Sequence, residues 1–230
     1  METEPDNRTA ALKLGLKLMR WLGVAGFVFA LIGGAILYGI KGGGGKVASV
    51  AAPANSGPCA GAQALATRLE PLVHGEVAAL MLAKTPRTLP DLSFNGPDGT
   101  RTSLKAFAGK TVLLNLWATW CIPCRQEMPA LDRLQAAQGG ADFEVVAVNI
   151  DTARLEKPRA MLNDLGVKNL VFYADPAAEV FQTLRSFSKV QGLPATLLVD
   201  RQGCETGLMA GPADWGSPDA IALVNAAKRG

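Results

Sequence analysis

A single histidine, His74, stands among the 230 residues, with only four cysteines, Cys59, Cys121, Cys124 and Cys204. One histidine cannot complete a zinc site of two cysteines and two histidines. An all-cysteine site needs two close pairs, and Cys59 and Cys204 are each isolated. Structural zinc is set aside, and no metal ligand is assigned. The chain also lacks a basic domain. Its formal charge of +3 resides wholly in residues 1–46, which carry six Lys/Arg against three Asp/Glu, whereas residues 47–230 carry seventeen of each. Without a basic patch over the folded part, a nucleic-acid partner has no electrostatic footprint. No internal repeat is evident, and with 49% apolar residues the composition is too hydrophobic for disorder over most of the length.

Charge is absent altogether from "WLGVAGFVFALIGGAILYGI" (21–40). Twenty apolar residues match the thickness of a bilayer core. A signal peptide is the alternative, and "VASVAAPA" (47–54) offers small residues for cleavage. The apolar run is nonetheless longer than the usual signal core of roughly seven to fifteen residues, which favours an uncleaved anchor. Arg8, Lys13, Lys17 and Arg20 precede it, and only Lys41 and Lys46 follow closely. That asymmetry places residues 1–20 as a cytoplasmic tail and the bulk of the chain outside. Residues 41–58, rich in Gly, Ala, Ser and Pro, read as a flexible linker. Residues 59–230 then form the domain of a single-pass inner-membrane protein, exposed to an oxidising space such as a bacterial periplasm.

Within that domain, apolar spacing predicts a helix over 61–82, with Leu65, Leu69, Leu72, Val73 and Leu80 near one stripe and His74 as a surface or packing residue. "LSFNGPDGTRTSL" (92–104) reads as a hairpin. Continuous apolar runs at 111–118 and 143–150 mark strands buried on both faces. Further strands are expected at 170–175, 195–200 and 204–209. Helices are expected from the cysteines at 121–124 onward, at 157–165, at 176–185, and at 218–228 behind a Ser217 cap. Alternation of this kind gives an α/β fold, a sheet with helices on both faces.

"WATWCIPCRQEMP" (117–129) carries the chemistry. A Cys-x-x-Cys pair can hold metal, staple the chain or exchange electrons. At a strand-to-helix junction, Cys121 meets the unpaired N–H groups and positive dipole end of the helix, which stabilise a thiolate. Cys124, three residues on, returns to the same face and suits the resolving role. Pro123 is tolerated because its missing N–H falls in the first turn. Glu127 lies one turn past Cys124 beside Met128 and Leu131. Partial burial there would raise its pKa and fit it to pass protons to and from Cys124.

"WATWCIPC" resembles the active site of the thioredoxin fold, and "QGLPATLLVD" (191–200) resembles that fold's proline loop. The resemblance implies a central mixed sheet flanked by helices, here with an N-terminal helical extension after the membrane helix. It also implies a cis-Pro194 facing the cysteines and a helix-kinking Pro129. Within the fold, "CRQEMP" and the strand-helix insertion at 142–175 are similar to the TlpA/ResA/CcmG family of membrane-anchored, extracytoplasmic thiol:disulfide oxidoreductases. "PLVHGEVAAL", "EVVAVNIDT", "LVDRQGCE" and "AGPADW" are similar to its TlpA-type members. By the same resemblance Asn115 stands where cytosolic relatives have a buried aspartate, so the proton acceptor moves to Glu127. Trp120, Ile122, Pro123 and Leu193 would surround a protein substrate, with the Leu193 backbone pairing to it as a short added strand. A structural disulfide would join Cys59 to Cys204. No cofactor is implied.

The activity that follows is reduction of disulfides in extracytoplasmic partner proteins. The resemblance implies a copper chaperone or the copper subunit of a haem-copper oxidase as target, and a membrane thiol-electron donor for recharging. Two alternatives share parts of this reading. A cytochrome c maturation reductase would act on haem-site cysteines with the same active-site string. A copper-binding chaperone would use the cysteines as ligands, against which the chain offers neither a histidine near them nor a methionine cluster. A disulfide-forming oxidant is disfavoured because Ile122-Pro123 lacks the histidine found in strong oxidases.

Overall fold

A computed structural model describes residues 57, 59–152 and 156–230. The expected cytoplasmic tail (1–20), membrane anchor (21–40) and all but one residue of the linker (41–58) lie outside the described residues. Among the described residues no helix is long and apolar enough to cross a membrane.

The core of the fold is strand β4 (Thr111–Trp117), whose seven residues are all buried. It is flanked by β5 (Phe143–Asn149) in parallel and by β7 (Ala195–Val199) antiparallel. Strands β1 (Met81–Leu82), β2 (Ser93–Asn95), β3 (Arg101–Ser103), β6 (Tyr173–Ala174) and β8 (Glu205–Ala210) complete a mixed sheet in the order β1-β8-β7-β4-β5-β6-β2-β3. A strand covered on both sides has no solvent face to alternate with, which is why β4 reads as an apolar run interrupted only at Asn115 rather than as an alternation.

The period-two alternation of β4 still decides which face each side chain serves. Val112, Leu114 and Leu116 join one core with Phe94, Tyr173 and helix α4 (Glu179–Phe187). Leu113 and Trp117 join the other. That core holds α1 (Ala60–Leu69), α2 (Ile122–Gln138) and α5 (Pro218–Ala227), with Leu162 from α3 (Glu156–Asp164). Asn115 has the parity of Leu113 and Trp117, so this polar side chain points toward α2.

Three expectations need correction. The helix expected over 61–82 stops at Leu69, because Pro71 has no N–H to continue the ladder and its ring clashes with the preceding turn. Two single 3-10 turns, Glu70–Leu72 and Gly75–Val77, and the short strand β1 follow instead. His74 is therefore an extended residue before the second turn rather than a helical one, with Nδ1 3.7 Å from Asp219. The strand expected at 170–175 shrinks to Tyr173–Ala174, because the buried Asp132 carboxylate takes the backbone N–H groups of Lys168, Asn169 and Leu170. The helix expected from 176 begins at Glu179, where Asp175 accepts from the Val180 N–H at 2.7 Å. The hairpin at 92–104 forms as β2–β3, and Ser217 caps α5 by accepting from the Ala220 N–H.

Candidate active site

Cys121 is the residue just before α2, with extended backbone angles, and its sulfur accepts the Cys124 N–H at 3.3 Å. One otherwise unpaired N–H of the first turn is thus spent on sulfur, so negative charge developing on Cys121 Sγ finds a donor and the helix dipole already in place. Cys121 and Cys124 form a disulfide with a Cα–Cα distance of 5.3 Å. Cys121 is 6% exposed and Cys124 not at all. Only the first cysteine keeps any exposed surface. Pro123 occupies the first turn, and the helix continues through Pro129 to Gln138.

The rim around Cys121 is apolar and open. Trp120 is 68% exposed and Ile122 59%, an unusual outlay of hydrophobic surface on either side of a cysteine. The approach to that rim is fixed by Asp151, which accepts from the Thr119 N–H at 3.0 Å and from Asn149 Nδ2 at 2.9 Å. Across the sheet, Leu116 of β4 pairs with Ala195 of β7. The residues just before β7 therefore sit at the same sheet end as Cys121. The Leu193–Pro194 peptide bond is cis. Pro194 is buried, its carbonyl accepting the Gly211 N–H at 2.9 Å, while half-buried Leu193 packs against both cores.

Behind the cysteines, the buried face of α2 reads Cys124, Glu127, Met128, Leu131, Leu134. Glu127 is 3% exposed. Its Oε1 accepts from Asn115 Nδ2 at 2.8 Å and its Oε2 from the Ala213 N–H at 3.4 Å. Burial pushes its pKa up to about 7. The hydrogen bonds from Asn115 and Ala213 pull the other way without cancelling it. Trp215, whose buried indole N–H completes no hydrogen bond among the described residues, adds a weaker pull. The carboxyl also lines an open cleft of about 400 Å³ between α2 and the loop after β8, with Gln126, Arg133 and Asp214. A group balanced near neutrality, one helical turn from a buried sulfur and with a route to water, can take up and release a proton during exchange.

Cys59 and Cys204, 145 residues apart, form a second disulfide at a Cα–Cα distance of 5.8 Å. It ties the start of α1 to the start of β8, away from the exchange site. Among the described residues no three His, Cys, Asp or Glu side chains gather as a metal site.

Sequence reasoning missed Thr196, whose Oγ1 accepts from Asn115 Nδ2 at 2.9 Å. It also missed Asp151 and the Ala213–Trp215 loop. Thr196 had a signal, since it shares parity with Leu198, which faces α2. The other two lie in "EVVAVNIDT" and "AGPADW", whose resemblance to family members marked the stretches but gave them no place in the site, because their approach to it is long-range.

The sequence profile of the Redoxin family matches residues 84–224. The thioredoxin-like protein YneN of Bacillus subtilis is 36% identical over 120 residues, covering 50% of this chain and 64% of that protein. The thiol-disulfide oxidoreductase ResA of Bacillus thuringiensis is 30% identical over 122 residues, covering 50% of this chain and 62% of that one. The chain thus spans a little under two thirds of the length of these curated relatives. A crystal structure from Chlorobium tepidum, described as that of a thiol:disulfide interchange protein DsbE, superposes with a TM-score of 0.53 at 29% identity, covering 61% of this chain and 95% of that one. The fold is thioredoxin-like, a central mixed sheet with flanking helices.

Proposed function

The chain belongs to the Redoxin family, and from that premise we propose that it is a thiol:disulfide oxidoreductase that reduces disulfides in partner proteins. The observation that carries this reading is the asymmetry of the cysteine pair. One sulfur sits at an apolar rim on a helix N-terminus, and the other is sealed one turn from a carboxyl balanced near neutrality.

The exchange runs in two displacements. The Cys121 thiolate attacks one sulfur of the partner's disulfide, forming a Cys121–partner disulfide and releasing the partner's other sulfur as a thiolate, which takes a proton from water. Cys124 then gives its proton to Glu127 and its thiolate attacks Cys121 Sγ. The Cys121–partner bond breaks, the second partner thiolate leaves and is protonated, and the Cys121–Cys124 disulfide remains. Two electrons have passed to the partner, and Glu127 returns its proton to solvent through the cleft. Trp120, Ile122 and Pro123 supply the apolar seat for the partner, and the Leu193 backbone aligns it as an added strand.

Residues 21–40 anchor this domain outside the cytoplasmic membrane, and a membrane thiol-electron donor recharges it. The target is the oxidised, disulfide-bonded cysteine pair of a copper site, on a copper chaperone or an oxidase copper subunit. That assignment rests on the likeness of "PLVHGEVAAL" and "AGPADW" to TlpA-type members.

The reduction potential of Cys121–Cys124 in the full-length chain, set by glutathione buffers with Cys59 and Cys204 followed separately by mass, tests the direction. A value of about −270 to −200 mV is expected for a reductant, and one near about −120 mV reverses the flow. Partners captured by Cys124→Ser then decide the target. Copper-site proteins are expected, and haem-attachment cysteines would move the enzyme to cytochrome c maturation.

A further inference from the structure

Asn115 and Thr196 are a directly opposed cross-strand pair, on β4 and β7, both turned toward α2. One nitrogen, Asn115 Nδ2, donates both its hydrogens, to Glu127 Oε1 at 2.8 Å and to Thr196 Oγ1 at 2.9 Å. The other end of the same amide, Oδ1, is buried with no hydrogen-bond partner among the described residues. An orphaned buried acceptor beside a doubly used donor is costly and calls for an explanation.

The protonated form of Glu127 gives that oxygen a use. A carboxylate is only an acceptor, so its Oε1 takes the amide's N–H end; Oε2 already faces the fixed Ala213 N–H, so the proton of the carboxylic acid falls on Oε1, which then donates and needs an acceptor in the same place. Turning the Asn115 amide by half a revolution puts Oδ1 where Nδ2 was, within reach of both Glu127 and Thr196. The Thr196 hydroxyl, which either accepts or donates, reverses with it. No heavy atom outside the amide has to move; the NH2 end takes the place that Oδ1 left, so the balance between the two settings is set by Glu127.

We propose that Asn115, seated by Thr196, is the positioning residue for proton transfer, its amide turning over as Glu127 gains and loses its proton. This rests on the exchange reading above for its purpose, though not for its geometry. The near-neutral balance of Glu127 keeps both settings accessible at working pH. The charged groups on the cleft that reaches Glu127 are Glu76, Arg133 and Asp214, the last two paired at 2.8 Å. None of the three enters the causes of the Glu127 shift, which are burial and the hydrogen bonds. In the oxidised protein neither Cys121 nor Cys124 titrates, so Glu127 is the group to which the amide responds.

The test is a pH titration of the full-length oxidised protein by NMR, following the Asn115 side-chain NH2 and the Glu127 carboxyl carbon together. Both are expected to report one midpoint. Nuclear Overhauser contacts from the NH2 to Glu127 and Thr196 should be present above that midpoint and lost below it. The same contacts at both ends of the titration would show a fixed amide and overturn the proposal. In Glu127→Gln the Asn115 signals should become independent of pH; continued titration would assign the response to another group and also overturn it. Asn115→Leu removes the donor to the carboxylate and should move the Glu127 midpoint upward, whereas an unmoved midpoint removes Asn115 from the role. The wild-type protein failing to reduce disulfides would sink the proposed function and leave these spectra, and the amide switch, standing.

Discussion

The two disulfides begin alike and end as different devices. Each has one cysteine just before a helix, Cys121 at α2 and Cys59 at α1. Cys121 Sγ accepts a helical N–H and lies between two exposed apolar residues. Cys59 makes no capping bond and is buried in a small cluster with Ala62 and Cys204, its sulfur 3.3 Å from Thr88 Oγ1. Helix position alone therefore does not make a reactive thiol. The dipole stabilises a thiolate only where a donor points at the sulfur and a partner can reach it.

The contrast breaks most sharply on substitution of the cysteines themselves. Cys121→Ser is expected to abolish disulfide exchange while Cys124→Ser accumulates mixed disulfides, both read by mass spectrometry. Equal activity in the two variants would erase the distinction between attacking and resolving sulfur. Replacing both Cys59 and Cys204 by Ser should instead leave exchange working and cost stability. The closed loop of 145 residues corresponds to about 5 kcal/mol in the chain-entropy picture, read as a lowered urea midpoint. Loss of exchange in a still-folded double variant would merge the two roles.

Glu127 separates the sites a third way. The carboxylate beside the other bridge, Asp200, accepts the Gln202 and Cys204 N–H groups and so fastens a turn rather than serving a sulfur. At the exchange site, the folded protein keeps the Glu127 proton up to about pH 7, whereas the unfolded chain releases it near 4.5. Its contribution is thus fully favourable below about pH 4.5 and is lost as pH rises to about 7, a change of about 3 kcal/mol. Denaturant midpoints of the wild type should fall across that window, and those of Glu127→Gln should fall less. A parallel pH dependence in both proteins would place the titrating group elsewhere. The smallest effect is expected at the rim. Trp120→Ala should change stability by less than about 0.5 kcal/mol, given its exposure. It should slow reduction of a protein disulfide by about tenfold, as loss of an interface anchor does. Reduction of a small disulfide should be unaffected, because it does not span the rim.

Much of the site was legible because its signals are local. The buried run at 111–117, the helix starting on Cys121-x-x-Cys124, and the placement of Glu127 on the face of Cys124 each follow from spacing within a dozen residues. Asn115 shows in the sequence as the one polar interruption of that run. What failed were places where a side chain from elsewhere took over the backbone. Asp132 holds the N–H groups of 168–170, across nearly forty positions, and so takes Leu170 out of the strand that the apolar stretch from 170 onward suggested. The helix expected over 61–82 ends early for a local reason, Pro71, whose missing N–H overrides the apolar spacing.

By itself the sequence determined where the residues proposed to carry electrons and protons stand, because a Cys-x-x-Cys at a helix start and a carboxyl one turn on are defined by helix geometry alone. Only the tertiary structure decided how that carboxyl behaves. Its burial, its bond to Asn115, and the Ala213 N–H that closes over it from 86 residues away arise when β4, β7 and the loop after β8 converge on α2. Desolvation depends on everything packed around a group, and no spacing along the chain encodes it.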